Sequence, residues 1–145
     1  MQNPVRIEFA GQVQLVGYEL DPPVVADLPS QARLFWQVSS KPARRLKYIL
    51  SLVERRPDGS EAVLTMIERE PYEGDIPTTV WDPGRTLKEY VELPVRLPVT
   101  PGGELFVSVQ MYDAETLAKL PVTDASGGEV LADGYTVVLP FVETE

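Results

Sequence analysis

Apolar and polar side chains alternate with a period of two along most of this chain. In the segment ARLFWQVS, Ala32, Leu34, Trp36 and Val38 fall on one side, and the residues between them fall on the other. Such alternation is typical of a β-strand that buries one face, whereas a helix repeats about every 3.6 residues. The chain is therefore predicted to fold from strands, and Trp36 is predicted to be a core residue.

Further segments of the same character end at Pro, Gly or Asp, which gives about eight predicted strands. They are VRIEF, QVQLVGYEL, LKYILSLV, EAVLTMIE, YVELPVRL, ELFVSVQMY and YTVVLPFV. In QVQLVGYEL, one face carries Val13, Leu15 and Gly17, and the other carries Gln14, Val16, Tyr18 and Leu20. In LKYILSLV, one face carries Leu46, Tyr48, Leu50 and Leu52, and the other carries Lys47, Ile49, Ser51 and Val53. The tetrapeptide PDGS at 57–60 is predicted to be a hairpin turn with Gly59 at positive φ. DAETLAKL at 113–120 is too short for an independent helix, and we interpret it as a hairpin connection whose far strand begins near Lys119. We expect one all-β domain over residues 1–145, an antiparallel β-sandwich of immunoglobulin-like or jelly-roll topology.

Proline and arginine positions give finer expectations about the sheets. Pro94 and Pro140 lie in strand-like segments, and proline cannot donate a ladder hydrogen bond, so these strands are expected at edges or bulges. The proline-rich segment ELDPPVVADLPSQ is long enough to pass between two sheets. The basic cluster ARRLK at 43–47 is interpreted as edge charge that prevents sheet-to-sheet pairing, with anion binding as the alternative.

The charge and residue content exclude several classes of function. The chain has 13 basic and 22 acidic side chains and a net charge of −9, which disfavours nucleic acid and anionic lipid as partners. It contains no cysteine and no histidine, so disulfides, cysteine metal sites and a Ser-His-Asp triad are excluded. We predict no cofactor. No apolar run approaches the ~20 residues that span a bilayer, and the start MQNPVRIEFAG is not expected to be a signal peptide.

The second half of the chain carries a recurring pattern of turns and strand ends. Its residues are Pro77, Thr78, Thr79, Trp81, Pro83, Gly84, Leu93, Pro94, Tyr112, Asp113, Leu120, Pro121 and Val122. With VQLVGYELDPP and ARLFWQVSS from the first half, this pattern resembles a β-sandwich module at the extracytoplasmic end of bacterial multi-span membrane proteins. Many of those proteins look like family 39 mannosyltransferase-type glycosyltransferases and are frequent in the Chloroflexi. The resemblance implies an extracytoplasmic or cell-surface location and a domain of unknown function, with no catalytic residue carried over.

Trp81 lies in the long segment 69–87 between two predicted strands, and two interpretations of it remain open. Its indole can stack against a sugar ring, with Tyr72, Asp82 and Asp75 beside it as polar ligand-binding residues. Alternatively, it can fold inward and fasten the long loop to the core. The pattern of turns around it favours the second interpretation.

The segment EREPYEGD is the one candidate metal site in the sequence. Glu70, Glu73 and Asp75 are candidate Ca²⁺ ligands, because calcium takes several carboxylate and carbonyl oxygens. Arg69 lies among these acids and the spacing is not that of an EF-hand, so a solvated acidic loop is the preferred interpretation.

These observations predict a non-catalytic accessory or interaction module that contacts a glycan or a protein partner. A structural spacer without a ligand is the first alternative. A glycan-active hydrolase is the second, although no carboxyl pair stands out as acid and base. Glycan binding predicts exposed aromatics near Trp81 and Tyr72, a spacer predicts that both tryptophans are buried, and a protein-interaction module predicts an exposed apolar patch or an open sheet edge.

Overall fold

The computed structural model describes residues 3–20, 30–74, 77–93 and 103–140, and they form strands joined by turns and two short 3-10 helices. The 3-10 helices are Pro71–Gly74 and Thr78–Val80. The strands are β1 (Asn3–Phe9), β2 (Val13–Leu20), β3 (Ser30–Val38), β4 (Leu46–Arg55), β5 (Glu61–Arg69), β6 (Leu87–Leu93), β7 (Glu104–Asp113), β8 (Val122–Ser126), β9 (Glu129–Val130) and β10 (Val137–Pro140).

Two antiparallel sheets of five strands each make up the fold. The first has the order β6-β3-β2-β1-β8, and the second has the order β5-β4-β7-β10-β9. Buried apolar residues from both sheets form one core cluster, so the predicted all-β antiparallel sandwich is confirmed. Within the described ranges, no helix is long and apolar enough to cross a membrane.

The predicted inward face of β3 is confirmed at every position. Ala32, Leu34, Trp36 and Val38 are all buried, and Trp36 has no exposed surface. β4 behaves in the same way, since its predicted inner residues Leu46, Tyr48, Leu50 and Leu52 are buried as well. On the opposite faces, Phe35 in β3 and both Ser51 and Val53 in β4 are buried as well, so burial alternates regularly only in the first half of β4.

The alternation predicted for β2 is interrupted. Val13 and Leu15 are buried as expected, but Tyr18, predicted on the other side, is only 2% exposed. The pairing of β2 with both of its neighbours shifts near Val16, between Leu15 and Gly17 on the β3 side. A bulge adds one residue and reverses which side chains face inward, because the side-chain period of a strand is two.

Two predicted turns are confirmed, and two strands were left out of the strand count. Gly59 has φ of 87° in the hairpin between β4 and β5, and residues 113–120 form a turn closed by a bridge between Tyr112 and Lys119. A strand was expected to begin near Lys119, and β8 begins at Val122, but it pairs with β1 in the other sheet and not with β7. The count of about eight strands included neither β8 nor β9. β8 is rich in polar residues and β9 has two residues, so neither shows a clear apolar alternation.

The expectations about sheet edges and crossings are only partly confirmed. The strands on either side of the proline-rich segment, β2 and β3, are paired neighbours in one sheet, which does not fit the expected passage between two sheets; residues 21–29 lie outside the described part. β6 is an edge strand among the described strands, and Pro94 lies outside them. Pro140 ends β10 beyond the part that pairs with β9.

The basic cluster does not guard a sheet edge, which corrects that interpretation. β4, which follows Arg44 and Arg45, lies between β5 and β7. The Arg44 guanidinium binds Asp113, with Nε 2.6 Å from Oδ2, and Arg45 forms two hydrogen bonds of 2.6 and 2.7 Å with the Glu70 carboxylate. These arginines therefore tie loops to the start of β4.

Candidate functional site

The loop from β5 to β6 carries the chain from the second sheet to the first, and Thr78 holds it in place. Thr78 is fully buried. Its hydroxyl accepts a hydrogen bond from the Leu46 N–H (3.1 Å) and donates one to the Arg44 carbonyl (2.9 Å). One side chain thus satisfies two backbone groups of the segment that leads into β4, as buried polar groups require.

Trp81 holds the same loop by packing. Its side chain is 5% exposed, and its ring centroid lies 6.2 Å from that of Trp36 at an angle of 38°. Trp36 also packs on Tyr48 at 5.7 Å and on Phe9 at 6.4 Å, so Trp81 completes an aromatic cluster that reaches the centre of the core. This geometry favours the interpretation of Trp81 as an anchor over that of an open stacking platform.

A tight turn follows Trp81 directly. The Arg85 N–H donates to the Asp82 carbonyl at 3.4 Å, and Pro83 and Gly84 occupy the two central positions. Gly84 has φ of 83°, which suits a type II turn with proline second and glycine third. The turn places the side chains of Asp82 and Arg85 at its two ends.

These features enclose a pocket of about 260 Å³ at the end of the sandwich where β3 ends and β6 begins. Asp82, Arg85 and Thr86 supply its polar groups and are exposed. The complete lining is Trp36, Val38, Val80, Trp81, Asp82, Arg85, Thr86 and Leu87. We call this cavity the Trp81 pocket.

The polar groups of the Trp81 pocket differ in how far they are already engaged. The Asp82 carboxylate pairs with Lys41 at 3.3 Å, and the Thr86 hydroxyl accepts from Gln37 Nε2 at 2.6 Å. Among the residues that the structure describes, Arg85 has no ion-pair partner. The Trp36 Nε1–H has no acceptor among them either, but Trp36 has no exposed surface, so this group does not face a ligand. The donors that the pocket offers to a ligand are therefore the Arg85 guanidinium and the Thr86 hydroxyl.

Of the four predicted ligand-binding residues, the structure brings two together. Trp81 and Asp82 both line the pocket. Tyr72 belongs to the first 3-10 helix, but its side chain and the whole of Asp75 lie outside the described residues. The involvement of Tyr72 and Asp75 therefore stays a prediction.

The candidate calcium ligands have the same mixed outcome. Both oxygens of Glu70 bind Arg45, whereas Asp75 and the side chain of Glu73 lie outside the described residues. Where side chains are described, no group of three or more acidic residues is arranged to hold a metal ion. Calcium binding stays a prediction.

Sequence reasoning missed a buried polar cluster that joins β4, β5 and β6. Arg69 Nε donates to the Tyr48 hydroxyl at 3.0 Å, and Arg69 Nη2 donates to Glu89 Oε1 at 3.1 Å and to the Tyr90 carbonyl at 2.9 Å. Glu89 and Tyr48 have no exposed surface. Burial, followed by the charge of Glu89, raises the pKa of Tyr48, which keeps its hydroxyl protonated.

Arg85 and Thr86 were also missed, although a signal for Arg85 exists. A Pro-Gly turn fixes the residue that follows it as the last residue of the turn, next to the first. Identification of Asp82 as a site residue therefore also implied Arg85.

Comparisons of this chain with protein-family models, with curated proteins and with solved structures found no match.

Proposed function

We propose that this protein is a non-catalytic binding module that holds a single small ring-shaped ligand, such as one saccharide unit, in the Trp81 pocket. The observation that carries the proposal is the pocket itself, in which apolar side chains, with Trp81 only 5% exposed among them, meet three polar side chains. Apolar walls with a few convergent polar groups are the common composition of ligand sites. By its resemblance to extracytoplasmic modules, the domain would meet such a ligand at the cell surface.

The size of the pocket limits the ligand. Its volume of about 260 Å³ lies just below the ~300–1,000 Å³ of typical small-molecule sites. One sugar ring is the appropriate scale, and an extended oligosaccharide would have to project from the pocket into solvent.

The composition of the lining supports a role without catalysis. Asp82 is the one carboxylate among the described residues of the lining, and it pairs with Lys41. Hydrolysis of a glycoside uses two carboxyl groups on opposite sides of the bond. A binding site requires no such pair.

Binding is tested with a panel of methyl glycosides, one sugar per titration, by ligand-observed NMR and tryptophan fluorescence. We expect saturable binding of at least one sugar to the wild type and its loss in Val80→Trp, which places an indole in the lining. Val63→Trp is the matched control, because Val63 is similarly exposed, at 60% against 54% for Val80, but lies on β5 outside the pocket. Equal binding to both variants would contradict the proposed site.

The alternative function is a structural spacer without a ligand. The burial of both tryptophans favours it, because Trp36 has no exposed surface and Trp81 has 5%. If no glycoside of the panel binds the wild type, the spacer becomes the better account, and the Trp81 pocket is a gap left by the packing of the loop.

A further inference from the structure

Arg85 differs from the other arginines of this acidic protein. Seven other arginines have described side chains, and each forms an ion pair with a carboxylate; they are Arg6, Arg33, Arg44, Arg45, Arg55, Arg56 and Arg69. In the described ranges, only Arg85 has no such partner, although acidic side chains outnumber basic ones by 22 to 13. This one unpaired guanidinium lines the Trp81 pocket.

The local charge of the pocket is opposite to that of the whole chain. The negative charge of Asp82 is offset by Lys41 at 3.3 Å, which leaves the positive charge of Arg85 in excess. The chain as a whole carries −9. An anion in contact with the pocket is therefore attracted, although the negative charge of the whole protein repels it from farther away. Salt screens this long-range repulsion more strongly than it screens the attraction at contact.

The neutral polar group of the pocket also favours an acceptor. The Thr86 hydroxyl already accepts a hydrogen bond from Gln37, so its proton is available for donation. A ligand rich in oxygen acceptors would engage this hydroxyl together with Arg85.

From these observations we infer that the Trp81 pocket selects a ligand with a carboxylate on a six-membered ring, such as a uronic acid, and that Arg85 binds the carboxylate. The planar guanidinium matches a carboxylate with two parallel hydrogen bonds, and the accessible apolar residues of the lining, Val80 and Leu87, can contact the ring. The inference rests on the proposed function and specifies its ligand class.

The test compares three probes by calorimetric titration at low ionic strength: methyl β-D-glucuronide, methyl β-D-glucoside and acetate. The two glycosides differ mainly in a carboxylate against a hydroxymethyl group, and acetate carries the charge without the ring. We expect the glucuronide to bind the wild type at least about tenfold more tightly than either of the other probes, because charge-assisted hydrogen bonds are the stronger kind.

Variants test whether Arg85 causes the preference for the glucuronide over the glucoside. Arg85→Gln is expected to bind the two glycosides equally, and Arg85→Lys is expected to retain part of the preference because it keeps the charge without the fork of donors. Arg6→Gln is the control, since it removes the same charge from an exposed arginine outside the pocket, and it should keep the full preference.

Each other outcome has a distinct meaning. Equal binding of glucuronide and glucoside by the wild type would overturn the inference and leave the proposed function standing. Binding of acetate as tight as that of the glucuronide would reduce the site to one for simple anions and would also overturn the inference. If no glycoside binds, the proposed function and the inference fail together.

Discussion

At the scale of single residues, Thr78 and Trp81 hold one loop by different means. Thr78 satisfies two buried backbone groups, and Trp81 fills space against Trp36. Both belong to the recurring pattern of turns and strand ends in the second half of the chain. Their positions give that pattern a physical meaning, since each residue contributes to closing the long β5–β6 loop onto the core.

The packing of Trp81 leads to a prediction about stability. Trp81→Ala should lower the free energy of unfolding by roughly 3–5 kcal/mol, because it removes a large buried ring and leaves a cavity beside Trp36. Trp81→Phe should cost clearly less. Urea unfolding followed by circular dichroism measures both, and Val80→Ala, at an exposed position, serves as the control. A change below about 0.5 kcal/mol for Trp81→Ala would show that the indole does not anchor the loop.

Asp113 leads to a prediction about pH. The hydrogen bond from Arg44, and after it that from the Thr116 N–H, lower the pKa of Asp113 from 3.8 to about 2. Because the folded-state pKa is the lower one, the ionised carboxylate stabilises the fold; this contribution is complete above pH 3.8 and is lost as the pH falls towards 2. Asp113→Asn should therefore unfold more easily at pH 7 and show a flatter stability profile between pH 4 and 2.

Acid titration of unfolding, followed by circular dichroism, measures that profile. Glu115→Gln is a suitable comparison, because Glu115 also pairs with Arg44 but its side chain is 76% exposed, and a smaller effect is expected. Identical profiles for the wild type and Asp113→Asn would contradict the assigned role of the Arg44 pair.

At the scale of elements, Arg69 joins two strands that belong to different sheets. It projects from the end of β5 and binds Glu89 and the Tyr90 carbonyl on β6. Glu89 is fully buried, so its charge depends on the arginine. This tie sits at the two sheet edges that the long loop connects.

A double-variant cycle tests the tie. Arg69→Met should destabilise the protein by about 2–4 kcal/mol, because it leaves the buried Glu89 without the arginine. This destabilisation is smaller than that expected on breaking a fully buried ion pair, since the Arg69 side chain is 22% exposed. Adding Glu89→Gln to Arg69→Met should recover part of the loss. Purely additive effects in thermal unfolding would show that the two side chains are not coupled.

The elements also show where sequence patterns predict structure and where they do not. The alternation in β3 and β4 predicted which face of each strand packs into the core, but it did not predict that Phe35, Ser51 and Val53 on the opposite faces are buried. The prediction from alternation failed in β2 after Leu15, because a bulge there turns the following side chains to the opposite faces. The sequence before the bulge alternates normally and gives no sign of it. β8 was left out of the strand count, because an edge strand with polar residues shows no apolar alternation.

The Trp81 pocket could be predicted only in part for a related reason. The turn Asp82–Arg85 follows from its Pro-Gly sequence. The contact between Trp81 and Trp36, 45 positions apart in the chain, follows from the stacking of two sheets. Local sequence patterns do not show which strand end lies next to which loop. The sequence therefore identified Trp81 and Asp82 but not the other residues that line the pocket.

At the scale of the whole molecule, the sheet edges carry features that oppose pairing with another chain. β5 contains a bulge near Leu64, the Tyr90 carbonyl of β6 is occupied by Arg69, and β8 and β9 are joined by a short turn. Bulges, charges and short edge strands are the usual means of preventing sheet extension. Recognition through a pocket suits this fold better than recognition by strand addition.

The net charge of −9 leads to the last prediction, because repulsion between like charges opposes the compact state. At pH 7, sodium chloride at about 0.5 M screens both this repulsion and the surface ion pairs; near the sequence pI of about 4.5 the net repulsion is absent and only the ion pairs are weakened. Salt should therefore raise the thermal midpoint at pH 7 by about 2–4 °C and leave it unchanged or lower it at pH 4.5. Calorimetry at both pH values, with and without salt, measures the difference. A fall of the same size at both would show that the ion pairs, and not the excess of acidic residues, dominate the electrostatics of the folded chain.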